Sequence, residues 1–110
     1  MELNLLSDIK MRFFIKLHKS YRSIIAICDS DIVGKKFEEG KMQLDVRETF
    51  YKDREIEKED LILLMQRQQK EDASFNIVGK ESVKAALEAG IISEDSIGKV
   101  QDIPFALTLI

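Results

Sequence analysis

The sequence predicts a single α+β domain, with a largely antiparallel four-stranded sheet that carries about three helices on one face. Apolar and polar residues alternate over residues 12–19, which is the period of a strand. Apolar residues recur at spacings of three and four over residues 57–70 and 80–89, which indicates helices. A chain of 110 residues suffices for one core. We therefore expect residues 1–10 to form an N-terminal extension and residues 11–110 to form one globular domain.

The first part of the domain has the pattern of a hairpin. Residues 12–19 form the first predicted strand, and residues 19–22 supply its turn. Residues 23–28 are almost entirely apolar, as expected of a central strand that is covered on both faces.

A short helix and a third strand are predicted next. Asp29 or Ser30 is suited to cap this helix, and Gly40 is suited to end it. Residues 42–50 again alternate, which predicts a half-buried strand. Glu48 falls on the apolar side of that pattern, so we expect a bulge there.

The second half of the chain contains two longer helical patterns. Charged residues over 52–60 predict a solvated loop that leads into the helix of residues 57–70. Residues 93–100 suggest a capped turn or short helix, and the residues after Pro104 predict the last strand.

The stretch from Ser74 to Ser93 joins a strand to a helix. Ile77 and Val78 favour an extended backbone, and Gly79 allows the chain to turn into the helix of residues 80–89. Small residues on the apolar side of this helix allow a close approach to its partner surface.

Three segments resemble an archaeal family known as domain of unknown function 424. They are RFFIKLHK, IIAICDSDIVGKKFEEGKMQLDV and NIVGKESVKAALEAGIIS, and the resemblance extends from Met11 to Ile110. Members often carry a histidine after the proline near the C-terminus, where this chain has Phe105. The resemblance implies a similar order of elements but no activity, and the departure argues against catalysis at this end.

Charge and cysteine content restrict the function. The 17 basic and 20 acidic residues leave a net charge of −3, which argues against binding nucleic acid by bulk electrostatics. The single cysteine excludes an internal disulfide and suits a reducing compartment. No apolar run approaches the length of a membrane span. We expect a cytoplasmic protein with no membrane partner.

Few residues point to covalent chemistry. In the predicted hairpin Cys28 lies too far from His18 to form a nucleophile pair, and one cysteine with one histidine cannot complete a zinc site. Asp29 and Asp31 after an apolar strand resemble the first motif of haloacid-dehalogenase-like phosphatases, which use magnesium. The chain lacks the rest of that motif set, and helix capping also explains both residues. We predict no cofactor, metal or catalytic residue.

The outer face of the first strand suggests a binding function instead. A basic strand face with an aromatic residue is typical of sheets that bind RNA. The candidate nucleic-acid-binding residues are Arg12, Phe14, Lys16, His18 and Arg22, with Lys35, Lys36 and Lys80 as additional anion contacts. We therefore expect a non-catalytic module with an RNA or ribonucleoprotein partner. The alternatives are a magnesium-dependent phosphoryl-transfer enzyme using Asp29 and Asp31, and a protein-interaction subunit without a ligand.

Overall fold

The computed structural model describes residues 12–109, and the predicted extension of residues 1–10 lies outside this range. Two 3-10 turns lie at Ser30–Ile32 and Glu94–Ser96. The helices are α1 (Glu48–Tyr51), α2 (Lys58–Lys70) and α3 (Lys80–Ala89). The strands are β1 (Arg12–His18), β2 (Ile24–Asp29), β3 (Lys36–Glu39), β4 (Met42–Asp45), β5 (Arg54–Glu57), β6 (Ser74–Val78), β7 (Gly98–Val100) and β8 (Ile103–Thr108).

Within residues 12–109 the strands form a six-stranded sheet in the order β5-β1-β2-β6-β8-β7, with β3 and β4 as a separate hairpin. The α+β class is confirmed, but the prediction of a four-stranded, largely antiparallel sheet is wrong. The sheet is mixed because β2 and β6 run parallel. A parallel pair needs a long crossover, and here the chain from β3 to α2 supplies it.

Helices cover both faces of the sheet, which corrects the prediction that all three pack on one face. The pair α2 and α3 packs on one face, where Phe13, Ile27 and Ile77 lie in the larger apolar cluster. The other face is covered by α1 and by the residues before it, which pack around Cys28 and Val78. The central strand β2 is therefore buried between two layers, as its apolar sequence predicted.

The segment between β2 and α2 differs most from the prediction. The expected helix up to Gly40 is a 3-10 turn followed by β3, and Gly40 lies in the turn of the β3–β4 hairpin. The expected strand of residues 42–50 ends at Asp45, and Glu48 begins α1 instead of forming a bulge. The charged residues of β5 pair with β1 and are not a loop.

Both long helices are confirmed, because α2 spans Lys58–Lys70 and α3 spans Lys80–Ala89. No helix within residues 12–109 combines the length and the apolar character needed to cross a membrane. The parallel neighbours β2 and β6 end side by side, since Cys28 is paired with Val78. This arrangement brings Asp29, at the end of β2, next to the start of α3.

Candidate functional site

The carboxylate of Asp29 caps helix α3 from a different strand. Its Oδ1 atom accepts hydrogen bonds from the Ser82 backbone N–H at 2.7 Å and from the Ser82 hydroxyl at 2.6 Å. Its Oδ2 atom accepts from the Glu81 backbone N–H at 3.1 Å. These amides belong to the first turn of the helix, which otherwise lacks partners for its N–H groups. The sequence predicted a capping role for Asp29, but at the helix directly following it.

Gly79 makes this contact possible. A β-carbon at position 79 would lie 2.4 Å from the Asp29 Cγ atom, and the φ angle of Gly79 is +117°. The Gly79 N–H donates to the Pro104 carbonyl at 2.9 Å, and its carbonyl accepts from Val83 at 2.9 Å. Glycine is therefore required here both by backbone conformation and by the space that the carboxylate occupies.

Burial raises the pKa of Asp29 above its ordinary value of 3.8. The three hydrogen bonds from Ser82 and Glu81 act in the opposite direction, because they favour the charged form. Both carboxylate oxygens are engaged, whereas Asp31 is exposed on the 3-10 turn. Among residues 12–109 no group of three or more histidine, cysteine, aspartate and glutamate side chains could hold a metal ion.

Cys28 is fully buried in the smaller apolar cluster. Burial raises the pKa of its thiol to about 12, and the charge of Asp29 adds to this effect. In the hairpin register Cys28 is opposite Phe14, whereas His18 is opposite Ile24. The two side chains are thus four residues apart along β2, or roughly 13 Å, so they cannot form a nucleophile pair.

The outer face of β1 is covered by the chain around α1. The ammonium group of Lys52 lies 5.4 Å from the centroid of the Phe14 ring, as in a cation–π contact. Lys16 donates from its Nζ atom to the Thr49 carbonyl at 2.8 Å. Phe14 packs against the smaller apolar cluster and is not an open stacking surface.

The side chains at the two ends of β1 also contact neighbouring residues. The His18 ring stacks on Phe50 with a centroid distance of 4.3 Å, and its Nε2–H donates to the Phe50 carbonyl at 2.8 Å. Nε2 is the donor because a carbonyl oxygen can only accept. Arg12 lies 3.7 Å from a carboxylate oxygen of Glu55 and 4.0 Å from one of Glu57.

The eight predicted nucleic-acid-binding residues do not form one patch. Arg12 lies at the N-terminal end of β1, next to the residue that is paired with Asp29. Lys80, the first residue of α3, lies at the same end of the sheet. Lys35 and Lys36 follow the 3-10 turn after β2, and Lys36 is 3.8 Å from Glu38. His18 and Arg22 lie at the opposite end of the sheet, six residues or roughly 20 Å from Arg12 along β1.

Residues 19–22, which we call the hairpin tip, lie in the connection between β1 and β2. The Tyr21 side chain in this turn is 97% exposed. Lys19 and Arg22 flank it and are also exposed. The Ser20 hydroxyl donates to the Arg22 carbonyl at 3.2 Å, a contact within the turn. The tip therefore presents an aromatic ring between two cationic side chains.

Sequence reasoning missed two further roles. Ser82 is fully buried and binds Asp29, and its only local signal is a hydroxyl on the buried side of a helix. Tyr51 donates its hydroxyl hydrogen to the Asn76 side chain at 2.9 Å and so joins α1 to β6. Burial raises the pKa of Tyr51, so this hydroxyl remains a donor.

Comparisons with known proteins agree with the family resemblance. The family model described as "Protein of unknown function (DUF424)" matches residues 18–109. The crystal structure of an uncharacterized conserved protein from Methanopyrus kandleri is similar, with a TM-score of 0.78 and 21% sequence identity over 88% of this chain and 90% of that one. This likeness shows a shared fold. No curated protein matches the chain significantly.

We predict that Gly79→Ala destabilises the fold much more than Gly90→Ala does. Both glycines have positive φ angles, but a β-carbon at Gly90 meets no atom within 4 Å. Gly90→Ala should cost about 1 kcal/mol through backbone strain alone. Gly79→Ala should cost about 3 kcal/mol or more, because it also displaces the Asp29 carboxylate. Urea unfolding followed by circular dichroism measures both, and equal losses would contradict the proposed cap.

The raised pKa of Asp29 predicts a pH-dependent stability. The folded chain holds this proton more tightly than the unfolded chain, so the free energy of unfolding falls as pH rises from 3.8 through the raised pKa. The variant Asp29→Asn removes the titration. The stability difference between wild type and this variant should therefore decline over that window and stay constant above it. Carboxyl carbon NMR measures the pKa directly, and a value below 3.8 would refute the prediction.

Proposed function

This chain belongs to the DUF424 family, whose function is unknown, and we propose that it is a non-catalytic module that binds single-stranded RNA. The hairpin tip is the contact surface in this proposal. The partner is a free RNA or a single-stranded segment of a ribonucleoprotein. A cytoplasmic location remains part of the proposal.

The observation that carries the proposal is the exposure of Tyr21 between Lys19 and Arg22. An aromatic ring left in water at the end of a hairpin offers both of its faces to a nucleobase. Stacking of a base on such a ring contributes about 1–3 kcal/mol and tolerates any base sequence. In this proposal the flanking cations contact the phosphates on either side of the stacked base.

Local charge supports the same surface. The chain as a whole carries a net charge of −3, but no acidic residue occurs between Arg12 and Cys28. The rest of the protein carries the acidic residues and repels RNA, so we expect RNA to contact only this part of the sheet. Two phosphate contacts would give a slope of about −1.4 in a plot of log affinity against log salt. We therefore expect binding that is modest in both affinity and salt dependence.

The contacts of Asp29 support the non-catalytic part of the proposal. A phosphoryl-transfer nucleophile must approach phosphorus with a carboxylate oxygen. Both oxygens of Asp29 already accept hydrogen bonds from the first turn of α3. Withdrawing this carboxylate would leave the buried Ser82 hydroxyl and two amides without their acceptor, which is costly. The geometry thus favours a structural role for Asp29.

Replacing Tyr21 tests the stacking contact. We expect Tyr21→Ala to weaken the binding of a labelled single-stranded RNA of mixed sequence by about 5-fold to 150-fold, which corresponds to a loss of about 1–3 kcal/mol. Tyr21→Phe is the matched control, because it keeps the ring and should keep the affinity. Fluorescence anisotropy at low salt measures the dissociation constants. Equal affinity of the alanine variant and the wild type would refute the proposal.

Charge reversal tests the phosphate contacts separately. The double variant Lys19→Glu with Arg22→Glu should lose the salt dependence that two phosphate contacts produce. The control Lys84→Glu with Lys99→Glu changes the net charge equally at exposed positions on α3 and β7. A similar loss in both double variants would indicate bulk electrostatics instead of a site at the tip. Failure of the wild type to bind RNA at low salt would also contradict the proposal.

A further inference from the structure

The outer edge of β5 and the flank of α2 border a groove. In the described sheet β5 is an edge strand with β1 as its neighbour. One cavity, of about 510 Å³, lies along β5 and α2, and a second, of about 300 Å³, adjoins it at the start of β5, beside β1 and β2. They share the lining residues Arg54, Leu64 and Gln68, so they form one continuous depression.

Apolar side chains are exposed along this groove. Leu63 on α2 is 49% exposed and Leu17 on β1 is 45% exposed. Leu64 and Ile56 add partly buried apolar surface to the same depression. Side chains of this size, beside a strand that has one neighbour in the described sheet, favour association with another strand and helix.

The charges on α2 are arranged for pairing with an identical helix. Asp60, Leu63, Leu64 and Arg67 lie along one stripe of α2 and line the groove together. When two such stripes meet antiparallel, with Leu63 of one opposite Leu64 of the other, Asp60 faces Arg67. Because the arrangement is twofold, this ion pair forms twice around an apolar centre.

We propose that the groove binds a second copy of this chain, so that two β5 strands and two α2 helices meet antiparallel in a homodimer. This interaction is independent of the RNA-binding proposal. The two hairpin tips would lie at opposite ends of the joined sheet.

The twofold axis also fixes the strand register. Residues opposite each other in an antiparallel pair have side chains on the same face. In a twofold pair of β5 strands, Ile56 can therefore lie opposite itself, on the face that carries α2. Glu55 then lies opposite Glu57 on the other face, where like charges oppose pairing. Arg12, at 3.7 and 4.0 Å from these two carboxylates, reduces that repulsion.

Charge reversal on α2 tests the proposed dimer. Sedimentation equilibrium of the full chain, from micromolar to millimolar concentration, gives its dissociation constant. We expect Asp60→Arg and Arg67→Asp each to weaken the dimer by about tenfold or more, because each brings like charges together. The double variant exchanges the two charges and should restore the wild-type constant. Lys84→Asp on α3 is the matched control for Arg67→Asp and should have no effect.

Leu63→Glu gives an independent test of the apolar centre. It places two carboxylates near the twofold axis and should produce a monomer whose circular dichroism spectrum is unchanged. Slower exchange of the β5 backbone amides in the wild-type dimer than in the Leu63→Glu monomer would support the strand pairing. A wild type that stays monomeric, with the groove open or covered by residues 1–11, would overturn the proposal. A dimer that persists in all of these variants would overturn it too.

Discussion

The packing of the described domain depends on the capture of one carboxylate by the first turn of a helix 52 residues away. Asp29 joins the end of β2 to the beginning of α3, across the parallel pair of β2 and β6. The helix dipole and the unpaired amides of the first turn favour a negative charge at this place. In many proteins a ligand supplies that charge, whereas here the chain supplies it. The N-terminus of α3 is therefore occupied by a carboxylate of the same chain.

The longest regular elements could be predicted because their signals are local. The strand β1, the buried strand β2 and both long helices follow from spacing alone, and α3 begins and ends at its expected residues. For α3 the signals agree on one helix, because a glycine lies before it and another after it, and most residues on its buried face are small. Local propensity and tertiary packing point the same way in these elements, so either one suffices to identify them.

The segment from Ser30 to Glu57 could not be predicted because contacts distant in sequence decide it. Nothing in the charged sequence of β5 indicates a strand, which forms because β1 offers it a neighbour. Val46 is fully buried and fixes the end of the β3–β4 hairpin, and α1 is too short to carry its own pattern. The same limitation applied to the candidate site, where Phe14 is covered by Lys52 from a different part of the chain. Tyr21 was recognised as a turn residue, but its exposure became visible only in the structure.

The burial of Cys28 has a practical consequence. Its side chain has no exposed surface, and it is the single thiol in the sequence. A thiol that is both enclosed and held protonated reacts with alkylating reagents only when the surrounding layers separate. The rate at which an alkylating reagent modifies Cys28 in the native protein therefore reports how often the sheet and the layer that contains α1 separate.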